Sequence, residues 1–165
     1  VSKSALESGV VRPKEEKKFE IKEIAVIGAG MMGAGIAYVS ALSGIKVIFF
    51  DKTVEIASHA KEKIEEKLKK DYYSKKIDEK KFNYTLSLIK PSNDYKNIKN
   101  ADLVIEAVFE NKEIKSDIIK NVKEHLKKSA VFASNTSTLP ITDLSKFSNK
   151  PSRFIGIHFF SQLIK

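Results

Sequence analysis

The chain of 165 residues contains no cysteine, which removes a disulfide framework, a thiolate metal site and a cysteine nucleophile together. No apolar stretch is long enough to cross a bilayer, and residues 1–20 lack the apolar h-region of a signal peptide. A cytoplasmic or mitochondrial matrix location is therefore expected. Arginine is scarce: Arg12 and Arg153 stand far apart, and the formal net charge of +9 rests on lysine. Specific readout of nucleic acid leans on the bidentate guanidinium, so the basic balance is not read as a nucleic-acid surface. Between Lys61 and Lys81 the lysines alternate with Glu62, Glu65, Glu66, Asp71, Asp78 and Glu79, as on a solvated helix laced with i,i+4 pairs. Two of the three histidines, His59 and His125, lie in lysine-rich helical surroundings and read as surface residues.

What is present begins with glycine. Ile24-Ala25-Val26-Ile27 is an apolar run of the kind a buried parallel strand shows, and it ends in Gly28, Gly30 and Gly33 before a stretch rich in small residues, Ala34, Gly35, Ala37 and Ala41. This is the pattern of a dinucleotide-binding turn. Gly28 permits the tight strand-to-helix turn, Gly30 lets backbone approach a pyrophosphate, and Gly33 lets the helix pack closely on the strand. The phosphates would rest on unpaired N–H groups at the helix N-terminus, where the dipole favours negative charge. The alternative is a glycine-rich turn with a structural purpose alone.

The rest of the chain alternates strands and helices. Residues 1–22, with Pro13 and a run of Lys and Glu, read as a tail or interdomain linker, and residues 23–165 as one domain with a core of its own. Gly44 closes the first helix and Lys46 to Asp51 forms a second strand. A long polar helix is expected from Thr53, as N-cap, to Tyr73, with a further helical piece from Asp78. Strands are expected at Leu86–Lys90 (stopped by Pro91), Leu103–Glu106, Ala130–Ser134 and Arg153–Phe160, with helices over Glu110–Lys127 and Leu139–Phe147. The order predicts an α/β fold: a Rossmann-like, doubly wound parallel sheet with a helical insertion after the second strand and ligands at the strand C-termini.

Polar residues collect at those strand ends. Asp51 follows Gly28 by 23 residues, near the spacing of about 20 for an acid that hydrogen-bonds the adenosine ribose, and its charge favours NAD over NADP. The alternative role for this aspartate is to cap the next helix. After the next strand of this kind come Ala107, Val108, Phe109 and Glu110, with Lys115 five residues beyond Glu110, too far for an ideal i,i+4 pair. Ser134-Asn135-Thr136-Ser137-Thr138 is a dense set of small hydrogen-bonding side chains that either serves a ligand or caps the helix after it. His158 lies at the end of the last strand: either a satisfied core histidine or, at the mouth of a dinucleotide site, a base that takes a hydroxyl proton.

Taken together, GAGMMGAGIA, Asp51, ADLVIEAVFEN from Ala101, FASNTSTLPI from Phe132 and GIHFFS from Gly156 resemble the NAD-binding domain of 3-hydroxyacyl-CoA dehydrogenases, most of all the dehydrogenase segment of the multifunctional fatty-acid oxidation complex alpha subunit. The resemblance implies NAD as cofactor, an acyl-CoA substrate, β-oxidation as the setting, and a full-length protein that is oligomeric or part of such a complex. It implies His158 as the catalytic base and Ser137 as a contact to the substrate oxygen and the nicotinamide. It places Met31, Met32, Asp51, Ala107, Val108, Phe109, Glu110, Lys115, Asn135, Ser137 and Ser161 with the glycines at the cofactor, and lysines such as Lys67 and Lys70 in the region that reaches CoA phosphates. No metal is implied. Residues 1–22 would be the linker leaving an enoyl-CoA hydratase domain. Gln162 stands where the family has proline, and the sequence stops at Lys165 before the family's orienting glutamate and its helical C-terminal domain. A chain of this extent is expected to bind NAD and to turn over poorly or not at all, since a base without its carboxylate loses tautomer control. The rival reading is an NAD-binding or assembly module without catalysis of its own.

Overall fold

The structure is a computed structural model and describes residues 19–159. Six parallel strands form one sheet: β1 (Glu23–Ile27), β2 (Lys46–Phe50), β3 (Ile89–Ser92), β4 (Leu103–Glu106), β5 (Val131–Ser134) and β6 (Phe154–Gly156), in the order β3-β2-β1-β4-β5-β6. The winding reverses between β1 and β4, and in such a sheet that reversal opens a crevice at the strand C-termini. The expected fold class is the one observed.

Alternation along the strands divides the core in two. Ile24, Val26, Val47, Phe49 and Ile105 face α1 (Met31–Leu42), α2 (Val54–Tyr73) and α3 (Glu79–Ser87), burying Ile36, Ala37, Ile64 and Leu68. Ala25, Ile27, Ile48, Phe50, Val104 and Phe132 point the other way, onto Ile119 and Val122 of α4 (Lys112–Lys123) and Leu144 of α5 (Ile141–Ser145). Apolar residues on both faces explain why β1 and β2 read as unbroken hydrophobic runs.

Local chemistry sets the helix boundaries. Thr53, Asp78 and Asn111 each occupy an N-cap position and accept a hydrogen bond from the backbone N–H three residues on. Asn111 as cap starts α4 at Lys112, so Glu110, expected inside that helix, lies before it, and the helix closes at Lys123 short of the expected Lys127. The α5 helix is likewise shorter than the expected Leu139–Phe147. Gly44 turns the chain after α1 with a φ of 86°.

Two strands differ from expectation by more than one residue, while β2 and β5 leave out the expected Asp51 and Ala130. Leu86 ends inside α3, and β3 runs from Ile89 to Ser92 with Pro91 within it, paired to Phe49. Because β3 is an edge strand, a residue without an N–H is tolerated there. The last strand was expected over Arg153–Phe160, but β6 spans only Phe154–Gly156, with Arg153 in a short 3-10 turn. Ile157 adds one more ladder bond, from its N–H to the Ser134 carbonyl at 3.0 Å, and His158 follows in irregular chain. Most of the expected tail, residues 1–18, and Ser161 lie outside the described residues. The sheet is already engaged at Lys22, whose carbonyl accepts from Lys46 N–H at 3.0 Å.

Candidate functional site

The strand-to-helix turn is built as its glycines require. Gly28 has a φ of 103°, and a Cβ there would stand 2.7 Å from the Ala107 carbonyl oxygen. At Gly33 a Cβ would stand 1.8 Å from the Gly28 carbonyl oxygen, so this position sets how closely α1 approaches β1. Around Gly30 a Cβ would meet nothing within 4 Å: its space is open to the crevice. Gly30 is also the N-cap of α1 and offers no capping side chain, and the first turn carries no acid. An uncapped helix N-terminus with open space before it suits a phosphate.

Asp51 closes the other side of this turn. Its Oδ2 accepts from Ala29 N–H at 2.6 Å and its Oδ1 from Lys52 N–H at 2.7 Å. A carboxylate offers about four acceptor positions, so two are left for the hydroxyls of a ribose. Thr53, not Asp51, caps α2, which disposes of the alternative role for the aspartate. Gly28, Gly30, Asp51, Ala107, Val108 and Phe109 line one cleft of about 600 Å³, together with Tyr95, whose ring packs tilted at 30° against Phe50 with centroids 4.4 Å apart, and Ile114 and Ile118 of α4. Phe109, at its rim, is 79% exposed. An apolar trough ending in a carboxylate and an uncapped helix fits an adenosine diphosphate. Met31 and Met32, in the first turn of α1, do not line this cleft; Met31 is 69% exposed.

A second cluster lies at the ends of β4 and β5. Lys115, expected as a cofactor contact, has no exposed surface and is withdrawn among carboxylates: Nζ donates to Glu106 Oε1 at 2.7 Å and lies 3.3 Å from Glu110 Oε2. Glu106 is equally buried and accepts also from Val108 N–H at 2.8 Å and Ser134 Oγ at 2.6 Å. Glu110 Oε1 gathers the loop after β5, accepting from Thr136 Oγ1, from Ser137 N–H at 3.1 Å, and from the N–H and Oγ1 of Thr138, each at 3.1 Å. Burial works to raise the Glu110 pKa, but the Thr136 and Thr138 hydrogen bonds and the Lys115 charge outweigh it and hold the carboxyl at about 2.

The Ser137 loop is joined in turn to the segment bearing His158. Asn135 Oδ1 accepts from Phe159 N–H at 3.0 Å, and Asn135 N–H donates to the Glu106 carbonyl at 2.8 Å. His158 itself is exposed. The structure thus brings Ser137, Asn135, Glu110 and the His158 segment to one end of the sheet, beside the glycine turn. Glu106 is not singled out by the sequence as a site residue, and Ser134 only as the first member of the run Ser134–Thr138. Their signal was a carboxylate and a hydroxyl, each ending an apolar central strand. On α2, Lys67 is engaged with Asp71 at 3.0 Å and only Lys70 of the two expected lysines is exposed. Asp71, expected on a solvated face, is buried and accepts from the Tyr38 hydroxyl of α1. Among the described residues no group of three or more His, Asp or Glu side chains converges to hold a metal ion, and no helix is long and apolar enough to cross a membrane.

Comparison with known proteins gives the same picture. The family described as 3-hydroxyacyl-CoA dehydrogenase, NAD binding domain, matches residues 23–164. Mitochondrial hydroxyacyl-coenzyme A dehydrogenase of Sus scrofa is 38% identical over 163 residues, covering 95% of this chain and 52% of that protein. The fatty acid oxidation complex subunit alpha of Psychrobacter sp. (strain PRwf-1) is 39% identical over 142 residues, covering 86% of this chain and 20% of that one. The solved structure of (S)-3-hydroxybutyryl-CoA dehydrogenase PaaH1 from Ralstonia eutropha superposes with a TM-score of 0.83 at 32% identity, over 88% of this chain and 51% of that one. The chain spans about half the length of the mitochondrial relative. With the turn, the cleft and the sheet order in agreement, the chain belongs to the 3-hydroxyacyl-CoA dehydrogenase NAD-binding domain family.

Proposed function

We propose that this chain supplies the cofactor-binding half of an enzyme that oxidises (S)-3-hydroxyacyl-CoA to 3-oxoacyl-CoA in fatty-acid β-oxidation, in the cytoplasm or the mitochondrial matrix. The observation that carries the reading is the junction of Asn135 with Phe159, which sets the His158 segment beside the Ser137 loop at the sheet end that bears Gly30 and Asp51. The α1 N-terminus, Met31 and Met32 included, receives the pyrophosphate through its amides, and Asp51 takes the ribose hydroxyls. Ala107, Val108 and Phe109 form the wall along which the cofactor lies. NAD, when bound, accepts the hydride from the carbinol carbon. His158 takes the proton of the 3-hydroxyl group in this direction and returns it in the reverse one, while Ser137 hydrogen-bonds the same oxygen. The similarity to an alpha subunit of a fatty acid oxidation complex supports membership of a larger assembly.

Fluorescence titration with NADH and NADPH, followed by acetoacetyl-CoA reduction, tests the reading. Binding of NADH in preference to NADPH is expected; no NADH binding overturns it. In protein that turns over, His158→Ala is expected to abolish chemistry and spare NADH affinity, whereas loss of that affinity assigns His158 a structural role.

A further inference from the structure

The cofactor cleft opens at the strand C-termini, and the opposite end of the sheet gathers positive charge that the reaction does not use. Lys46, Lys90, Lys96 and Lys99 line one basin there, at the starts of β2 and β3 and the turn before β4, with Glu23 as its one acid. Lys123, Lys127, Lys128, Lys150 and Arg153 line a second, beside the end of α4 and the segments that lead into β5 and β6, with no acid among its lining residues. Of these cations only Lys127 pairs with a carboxylate among the described residues, that of Asp102, which also accepts from the N–H groups of Lys22 and Glu23. Elsewhere Lys67, Lys69, Lys120 and Lys146 each stand against an acid. Backbone carbonyls hold the rim of the second basin in place: Arg153 Nη1 donates to Ser129 at 2.9 Å and Lys150 Nζ to Lys128 at 2.9 Å. Lys123 alone of these residues lies in the last turn of an α-helix, so complementing a helix dipole accounts for it and not for the rest.

We propose that this face docks on an anionic lipid bilayer, its lysines among the phosphate headgroups and the cofactor cleft turned away from the membrane. The spacing of the two basins excludes one small ligand for both. Lys46 opens β2 and Arg153 immediately precedes β6, and the four strand spacings between them, at about 4.8 Å each, set them about 19 Å apart. A partner that reaches both is an extended surface or a polymer. Among the described residues no exposed large hydrophobic side chain lines either basin. The face therefore lacks the aromatic platforms on which single-stranded nucleic acid stacks, and equally the apolar centre of a protein interface. A plane of headgroups asks for neither. Lysine serves it well, since an ammonium on a flexible stem is a point charge that needs no fixed fork and follows lipids as they diffuse. Nothing in this docking depends on which reaction the cleft supports.

Co-sedimentation of the whole chain with vesicles of phosphatidylcholine and phosphatidylglycerol, about three to one, tests the proposal at about 0.05 M salt, where charge acts over about 14 Å. Binding is expected there, with none to phosphatidylcholine alone and with release at about 1 M salt. Each basic side chain near an anionic surface is worth about fivefold in partition, so Lys46→Gln, Lys99→Gln, Lys128→Gln and Lys150→Gln together are expected to weaken it about a hundredfold or more. A control variant loses the same charge from α2, α3 and the turn between them, through Lys63→Gln, Lys69→Gln, Lys75→Gln and Lys80→Gln, and is expected to bind within about threefold of the parent. Equal losses in the two variants assign the binding to net charge and overturn the proposal. Absence of binding to the anionic vesicles overturns it as well, and so does chain that binds polyuridylate in their place. Should the first variant not fold, acetylation of the parent chain with and without vesicles decides the matter: protection of Lys46, Lys99, Lys128 and Lys150 with unchanged labelling of Lys63, Lys75 and Lys80 supports the face, and uniform labelling refutes it.

Discussion

Two glycines three residues apart are expected to fail in opposite ways when given a methyl group. At Gly33 the new Cβ stands 1.8 Å from the Gly28 carbonyl oxygen and 3.5 Å from Val26 Cγ1. The near atom is backbone, held in a turn whose own φ of 103° leaves it little choice, so β1 and α1 must separate by on the order of 1.5 Å to reach ordinary contact. Overpacking of a tight core costs about 1–3 kcal/mol and occasionally more, and a backbone clash this deep belongs at the upper end. With about 2–4 °C of melting temperature per kcal/mol in a domain of this size, Gly33→Ala is expected to melt about 6–12 °C below the parent. At Gly30 the new Cβ meets nothing within 4 Å and the backbone is extended, with φ −73° and ψ −174°. Alanine in place of glycine as N-cap costs about 1 kcal/mol or less, so Gly30→Ala is expected to lose no more than about 4 °C. Its methyl group occupies the open space before the helix amides. Displacing one or two charged hydrogen bonds to phosphate, at about 1.5–3 kcal/mol each, lowers NADH affinity about tenfold or more. Thermal melts by circular dichroism and NADH titration by fluorescence read the two effects separately. A Gly33→Ala chain that melts with the parent, or a Gly30→Ala chain that binds NADH as the parent does, refutes the assignment of these two roles.

Asp51→Ser removes the carboxylate opposite the ribose and is expected to weaken NADH binding about 10- to 100-fold while narrowing the gap to NADPH, measured by parallel titrations. The Glu110 carboxyl is held at about 2 against an ordinary value of 4.5, so its contribution to stability is complete above pH 4.5 and is lost as pH falls toward 2. Glu110→Gln should therefore melt lower than the parent at neutral pH and decline less steeply between pH 4.5 and 2; parallel curves across that window would refute the assignment. Tyr38→Phe removes the hydroxyl that donates to buried Asp71 while leaving Lys67 at 3.0 Å, and is expected to destabilise by about 1–2 kcal/mol in urea titrations.

Much of the site was legible because its chemistry is local. A turn that needs small residues at three fixed spacings writes itself into the sequence, and so does an acid at the end of the following strand. The fold was legible for the same reason: with both faces of a parallel sheet covered, β1, β2 and β4 appear as short apolar runs between helices. Errors fell where meaning depends on position in the assembled sheet. Pro91 reads as a stop signal in any isolated strand, and only the place of β3 at the sheet edge makes it admissible. The expected last strand ran through His158 because the residues from Phe154 to Phe160 are largely apolar. Pairing stops earlier, once Ile157 has made its bond and Phe159 N–H has turned to the Asn135 side chain.

Glu106 is the instructive omission. Function at strand ends points to the residues just beyond β4, whereas the acid that closes the strand itself reads as its boundary. A carboxylate at the last position of a central, doubly covered strand has no solvent to face, and so requires a cation from elsewhere in the chain. Sequence offers several lysines within reach, and their spacing does not say which is turned inward. What singles out Lys115 is the Asn111 cap, which starts α4 at Lys112 and so sets the direction in which the residue one turn in projects. The same cap leaves Glu110 outside the helix, free to turn toward the Ser137 loop. One local hydrogen bond, Ile114 N–H to Asn111 Oδ1 at 2.9 Å, thereby bears on both carboxylates that flank the Lys115 ammonium. The five-residue interval between Glu110 and Lys115, irregular as a helical pair, is the trace that this arrangement leaves in the sequence.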